Sequence, residues 1–136
     1  MTRGRHVLLV EDDFHNVTLF RKLFEKRLGC TVAHTESPAE LFEILRRPGV
    51  DLVVMDVSLA RSTLDGRAVG GVELCRRIKS DPALCATPVL LATAHAMHGD
   101  AQRLLAESGA DGYVAKPIVD HDAFVAQVRA LMEAAA

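Results

Sequence analysis

No apolar run in this sequence is long enough to cross a bilayer, which excludes a spanning helix. Arg3 and Arg5 precede Val7 to Val10 as they would in a signal peptide, but that run is far too short, and Glu11, Asp12 and Asp13 end it. Basic charge is not in excess either. The formal net charge is -2 and the lysines and arginines are scattered. Binding a phosphate backbone needs a concentrated basic face, so nucleic acid is not expected as a partner, and neither is a membrane. Cysteine is sparse. Cys30, Cys75 and Cys85 are odd in number, form no CxxC pair and lie in apolar or helical stretches. That pattern excludes a disulfide framework, fits reduced thiols and gives a cytoplasmic expectation. No GxGxxG follows the first apolar run, which argues against a dinucleotide enzyme.

What is present has the make-up of one globular domain: 136 residues, 49% hydrophobic and 25% charged. Short apolar runs alternate with amphipathic stretches, and turn or capping residues bound each one. His6 to Val10 reads as a first strand, followed by a helix from about Phe14 to Arg27 with Val17, Phe20, Phe24 and Leu28 on its buried stripe. Gly29 stops that helix, and Thr31 to His34 is a second strand. Ser37-Pro38-Ala39-Glu40 has an N-cap serine, a proline at the first helical position and a glutamate at the third, so a second helix starts there. Pro48-Gly49 ends it. Leu52 to Met55, apolar on both faces, is a third strand that delivers Asp56 at its carboxyl end. Val72 to Lys79 resumes helical spacing, Pro88 to Ala92 is strand four, Gly99 to Ser108 a fourth helix capped by Gly109, and Tyr113 to Ala115 strand five. A last helix begins near Asp120, with Phe124, Val128 and Leu131 on one face. Strict alternation of this kind predicts an α/β, doubly wound, five-stranded parallel sheet flanked by five helices, flavodoxin-like, with strand order 2-1-3-4-5.

In such sheets the functional crevice lies beyond the carboxyl ends of the strands. Strand one ends in Glu11, Asp12 and Asp13, strand three in Asp56, strand four in Thr93 and strand five in Lys116, followed by Pro117. Carboxylates gathered in one place repel each other unless a cation neutralises them. Asp12, Asp13 and Asp56 are hard oxygen ligands with no Cys or His cluster beside them, so Mg²⁺ is the expected ion. An isolated acidic pair at this position would be explained by the positive N-terminus of the first helix alone. Asp56, Thr93 and Lys116 at the other strand ends shift the balance. A carboxylate attacks phosphorus to form an acyl phosphate when a metal and a cation neutralise the transferring group. Thr93 is placed to donate to a phosphoryl oxygen, and Lys116 to contact that group or Asp56.

The segments Val-Glu-Asp-Asp, Met-Asp-Val, Ala-Thr-Ala-His-Ala and Gly-Tyr-Val-Ala-Lys-Pro-Ile, in this order and over nearly the whole chain, resemble the response-regulator receiver domains of two-component signalling. The likeness is to a single-domain member, of the kind used in chemotaxis. The resemblance implies that Asp56 takes phosphate from a histidine kinase or a histidine phosphotransfer protein. It further implies that Asp12 and Asp13 hold Mg²⁺ with Asp56, and that the backbone carbonyl of Ser58 is a further ligand. It implies that Thr93 moves toward the phosphoryl group while Tyr113 changes rotamer with it, altering the face made by helix four, strand five and helix five. A cis Lys116-Pro117 bond is implied too. Tyr113 read alone is a strand aromatic, more often packing than switch. Glu11 is a candidate for orienting the metal's water shell, or a plainly solvated acid. His95, two residues after Thr93, is implied as a modulator of dephosphorylation. His95 and His98 as a metal pair lack a third ligand.

The chain departs from the family after Asp56. Ala60 stands where proline is usual, Gly70-Gly71 replaces aspartate-glycine, and the loop from 58 to 70 is extended. Asp65-Gly66 between short β-compatible segments predicts a tight hairpin, a small projecting arm beside Asp56. Arg61 or Arg67 on it would meet anionic oxygens as a gate, or the arm is a mobile solvated loop. Residues 1–136 are read as a single receiver domain without an output domain, acting through a downstream protein target, with a homodimer allowed. It is expected to assist its own phosphoryl transfer and dephosphorylation rather than act as an enzyme on other substrates. The competing readings are a phosphorylation-independent binding or dimerisation module and an aspartyl-phosphate hydrolase. Against the second, Ser58 stands where those hydrolases carry another aspartate.

Overall fold

Runs of β-branched residues and leucine too short for helices form the strands, and the capped amphipathic stretches between them form the helices. The structure, a computed structural model, describes residues 5–57, 63–64, 67–68, 70–94 and 100–135, with backbone alone at 63–64, 67–68 and 100. The main sheet consists of β1 (His6–Val10), β2 (Thr31–Thr35), β3 (Leu52–Asp56), β4 (Val89–Thr93) and β5 (Gly112–Ala115). All neighbours are parallel, and the order is β2-β1-β3-β4-β5, as predicted. Five helices connect them: α1 (Phe14–Lys22), α2 (Pro38–Arg46), α3 (Gly71–Ser80), α4 (Asp100–Ser108) and α5 (His121–Ala135). None of the described helices is long and apolar enough to cross a membrane.

The period-two alternation of the central strands divides the core into two layers. Val7 and Leu9 of β1, Leu52 and Val54 of β3, and Leu90 and Ala92 of β4 pack with Phe20, Phe124 and Val128 from α1 and α5. Leu8, Val10, Val53, Met55, Val89 and Leu91 face the opposite way, onto Leu41, Leu45, Leu74, Cys75 and Ile78 from α2 and α3. β3 is buried along its whole length, including Asp56. In the first layer three phenylalanines meet. The rings of Phe20 and Phe124 lie 5.8 Å apart, those of Phe24 and Phe124 5.6 Å apart and edge-on.

Helix ends follow their local chemistry. Ser37 accepts from the Glu40 amide at 3.2 Å, with Pro38 at the first position of α2. Asp120 accepts from the Ala123 amide at 2.9 Å, immediately before α5. The first helix does not run regularly to Arg27: past Lys22 it continues as a π-helical segment, Leu23–Arg27. Leu23 and Phe24 are both buried there, so the wider turn places two consecutive large side chains on the core. Gly29 then takes a left-handed φ of 65°, which a side chain would oppose.

At the amino ends of the strands, charged groups are spent on the backbone. Asp51 accepts from the His6 amide at 2.8 Å and Asp111 from the Val89 amide at 2.8 Å. Lys79 donates to the carbonyls of Cys85 and Thr87, at 3.1 and 2.8 Å, and pairs with Asp111 at 2.7 Å. Within the extended loop, Thr63–Leu64 pairs antiparallel with Arg67–Ala68 across Asp65-Gly66, with Leu64 opposite Arg67. Asp65-Gly66 itself lies outside the described residues. The first strand of this pair runs alongside α2.

Phe124 is the shared partner in the aromatic group and is 2% exposed. Phe124→Ala is expected to lower unfolding free energy by about 3–5 kcal/mol, measured by urea denaturation.

Candidate functional site

Because the strands are parallel, β1, β3 and β5 end on one side, and each ends in a polar residue or is followed directly by one. Leaving β1, Glu11 is 1% exposed; Asp56, the last residue of β3, is 3% exposed. Lys116 follows β5, its backbone amide donating to the Thr93 carbonyl at 2.8 Å, and the Lys116–Pro117 bond is cis. The Lys116 ammonium lies between the two acids. Nζ donates to Glu11 Oε1 at 3.0 Å and to Asp56 Oδ1 at 2.9 Å.

The acidic triplet after β1 has separate duties. The Glu11 carboxylate folds back on its own loop, Oε2 accepting from the amides of Asp12 and Asp13 at 3.1 and 3.4 Å. Asp13 is the N-cap of α1: its Oδ1 accepts from the amides of His15 at 2.8 Å and Asn16 at 3.2 Å. Among the described residues, Glu11, Asp12 and Asp56 are the acids whose oxygens converge, each offering one within 4.8 Å of the others. Such a set of hard donors suits Mg²⁺, which takes oxygen ligands from one or two carboxylates and fills its octahedron with water. A cavity of about 340 Å³ opens beside them, lined by Glu11, Asp12, Asp13, Asn16, Asp56, Ala94, Lys116 and Pro117.

Crowding shows in the electrostatics. Burial, and then the neighbouring Asp56, raise the Glu11 carboxyl from 4.5 to about 7, against the lowering effect of Lys116. Burial acts to lower the Lys116 ammonium, but its hydrogen bonds to Asp56 and Glu11 outweigh that and leave it raised. The cluster therefore has more negative charge than one ammonium can neutralise. A divalent cation at the three oxygens would supply what is missing.

Thr93 ends β4 and is 1% exposed, one residue before Ala94 of the cavity wall. Tyr113 lies on β5 opposite Leu91, 37% exposed, with its carbonyl accepting from Gln127 Nε2 at 2.8 Å. Ser58, Arg61 and His95 lie outside the described residues, as does the side chain of Arg67. The sequence reading did not single out Asn16. Its position, three residues after the Asp13 cap, is the signal that places it on the helical turn facing the cavity. Among the described residues Glu11 joins Asp12 and Asp56 in the converging set, while Asp13 lines the same cavity from the helix cap.

Gly71, the first residue of α3, packs against the phosphoacceptor candidate itself. A Cβ there would overlap the Asp56 carbonyl oxygen and stand 2.8 Å from its carbonyl carbon. At Gly70 the nearest atom to such a Cβ would be the Val57 carbonyl oxygen at 3.4 Å.

The described geometry agrees with what known proteins of similar sequence and fold are. A family model described as the response regulator receiver domain matches residues 7–129. The polar-differentiation response regulator DivK of Brucella ovis is 35% identical over 114 residues, 84% of this chain and 85% of that protein. The receiver domain of a sensor histidine kinase from Pseudomonas aeruginosa, solved with a magnesium ion coordinated in its active-site cleft, superposes with a TM-score of 0.72 at 23% identity over 97% of each chain. A CheY-like receiver domain protein from Methanospirillum hungatei gives 0.75 at 16% identity, over 98% of this chain and 97% of its own.

Two expectations follow. Gly71→Ala should destabilise by about 1–3 kcal/mol through overpacking, while Gly70→Ala stays within about 0.5 kcal/mol, both read from urea unfolding. The second concerns pH without metal. A carboxyl raised in the fold binds a proton there that the unfolded chain has lost, so its contribution is most favourable below about 4.5 and is lost as pH climbs toward 7. In EDTA, Glu11→Gln should therefore gain about 1–3 kcal/mol over wild type at pH 7.5 compared with pH 4.5, measured by urea titration at both values. Equal stability differences at the two pH values would contradict it.

Proposed function

The chain belongs to the response regulator receiver domain family, and from that premise we propose that Asp56 accepts a phosphoryl group, with Mg²⁺ beside it, from a histidine kinase or a histidine phosphotransfer protein. The observation that carries this reading is the Lys116 ammonium bonded at once to Asp56 and Glu11, at the strand ends where Asp12 completes the oxygen cluster. Receiver domains are signalling domains. This one acts by changing its own state, and it assists both its phosphorylation and the later hydrolysis.

An Asp56 carboxylate oxygen forms the new bond to phosphorus as the donor's phosphorus–nitrogen bond breaks, the electron pair leaving with the imidazole nitrogen. Bound Mg²⁺ supplies positive charge against the phosphoryl oxygens. Asp12, Asp56 and Glu11 present the oxygens that would hold it. Asp13 lines the same cavity from the helix cap. The Ser58 carbonyl remains part of the proposed ligand set, by family resemblance. Lys116 stays in contact with the Asp56 carboxylate and balances the charge that arrives. Thr93 is buried at the adjoining strand end, and its hydroxyl is the proposed donor to a phosphoryl oxygen after a short movement toward it. Tyr113, half in solvent on β5, is the proposed reporter of that movement to the face formed by α4, β5 and α5. A downstream protein or a second copy of the chain reads that face, in the cytoplasm. His95, and Arg61 and Arg67 of the arm, are proposed modulators of water and donor access.

Incubation with acetyl phosphate and Mg²⁺, followed by intact mass, tests the reading. Wild type should gain the mass of one phosphoryl group; Asp56→Asn and EDTA-treated samples should not. An unmodified wild type would overturn the proposal, and a modification that survives Asp56→Asn would move the acceptor elsewhere.

A further inference from the structure

The acidic loop is held from two directions. One is the Lys116 ammonium, acting on side chains. The other is His34, on β2 opposite Leu9, whose Nε2 lies 2.7 Å from the backbone carbonyl oxygen of Glu11. A carbonyl oxygen only accepts, so Nε2 carries the hydrogen and donates, whether the ring is neutral or cationic. The last ladder pairs of β1 are Val10 with Thr35 and with Met55. Glu11 is thus the first residue beyond the sheet, and the imidazole takes over there from the ladder.

We propose that His34 is a positioning residue for the metal site: its ring N–H fixes the Glu11 carbonyl and so keeps residues 11–13 in the shape that gathers Glu11, Asp12 and Asp56. The inference rests on the Mg²⁺ reading above. Three mutually repelling carboxylates favour a loop that opens when no cation is bound. The bonds inside the loop do not resist this by themselves. Glu11 Oε2 grips the two amides that follow it, and Asp13 grips the start of α1, so the loop and the helix could shift as one piece relative to β3 and Asp56. A bond from β2 to the loop's first carbonyl opposes that shift, because β2 is laddered to β1. Groups that orient ligands without touching the metal change its affinity roughly 10-fold or more when removed.

The test is Mg²⁺ titration by calorimetry on wild type, His34→Met, His34→Ala, His34→Gln and, as a control on the same strand, Thr31→Met. Amide exchange at Asp12 and Asp13 is followed by NMR in EDTA. Met and Ala remove the donor, and Gln restores one. The expected result is a Kd raised roughly 10-fold in whichever donor-free variant folds, with faster Asp12 and Asp13 exchange in the metal-free protein. His34→Gln should stay within about twofold of wild type, and Thr31→Met should be unchanged. Wild-type affinity and wild-type exchange in a folded donor-free variant would overturn the inference while leaving Mg²⁺ binding intact. Weak binding by His34→Gln equal to that of His34→Met would also overturn it, because bulk or strand packing would then be the cause. Failure of wild type to bind Mg²⁺ would instead overturn the metal reading on which it rests.

Discussion

A part-buried ammonium between two buried carboxylates organises one whole end of this molecule. Moving Lys116 out of water is costly, and neither Glu11 nor Asp56 alone offsets that cost as well as both together. The contact also closes a gap in the topology. β5 pairs only with β4 in the main sheet, yet Nζ reaches across the end of β4 to groups on β3 and β1. The end of β5, which no ladder joins directly to β1 or β3, is thereby held at a fixed distance from both. The Asp56 carboxylate, the Lys116 ammonium and the neighbouring carboxylate oxygens of Glu11 and Asp12 are consequently gathered at one end of the sheet.

The two ends of the sheet use charge differently. At the amino ends, Asp51, Asp111 and Lys79 are bonded to backbone amides and carbonyls, so their charge satisfies the chain itself. At the carboxyl ends, acids face one another across a cavity and share one lysine. The first arrangement is a structural closure that gains nothing from a ligand. The second crowds acids around a single ammonium, and burial, then the neighbouring Asp56, pushes the Glu11 carboxyl up to about 7. A parallel sheet makes this asymmetry natural, since a loop leaving a strand's carboxyl end leads toward a helix N-terminus and its partial positive charge.

Much of this was legible in the sequence because the strands are short, apolar and sharply bounded. Leu52 to Met55 had to be a buried strand, and the aspartate after it had to emerge at the sheet's end. Lys116 was equally plain, standing between a strand and a proline. The triplet Glu11-Asp12-Asp13 reads from sequence as a metal pair at Asp12 and Asp13, and three adjacent acids differ in role according to where the strand stops and the helix begins. A one-residue difference decides which carboxylate turns inward and which caps α1. The cap rule applied strictly to Asp13, directly before Phe14, would have separated them. His34 gave no signal at all. Its importance comes from lying beside Glu11 on a neighbouring strand, and no local pattern encodes that pairing. The π-helical turn at Leu23–Arg27 was hidden for a related reason: Leu23 and Phe24 are both apolar, and a regular helix reads equally well until packing asks for both.

Gly71 bears on how a chemical event at Asp56 travels outward. Elsewhere in the core, side chains separate helix from strand, and such layers adjust by rotamer. Here α3 begins in direct contact with the peptide of Asp56, with no side-chain atom of its own between them. The junction has no clearance and no soft degree of freedom, so the helix registers the position of the Asp56 main chain, whatever the rotamer of the carboxylate above it.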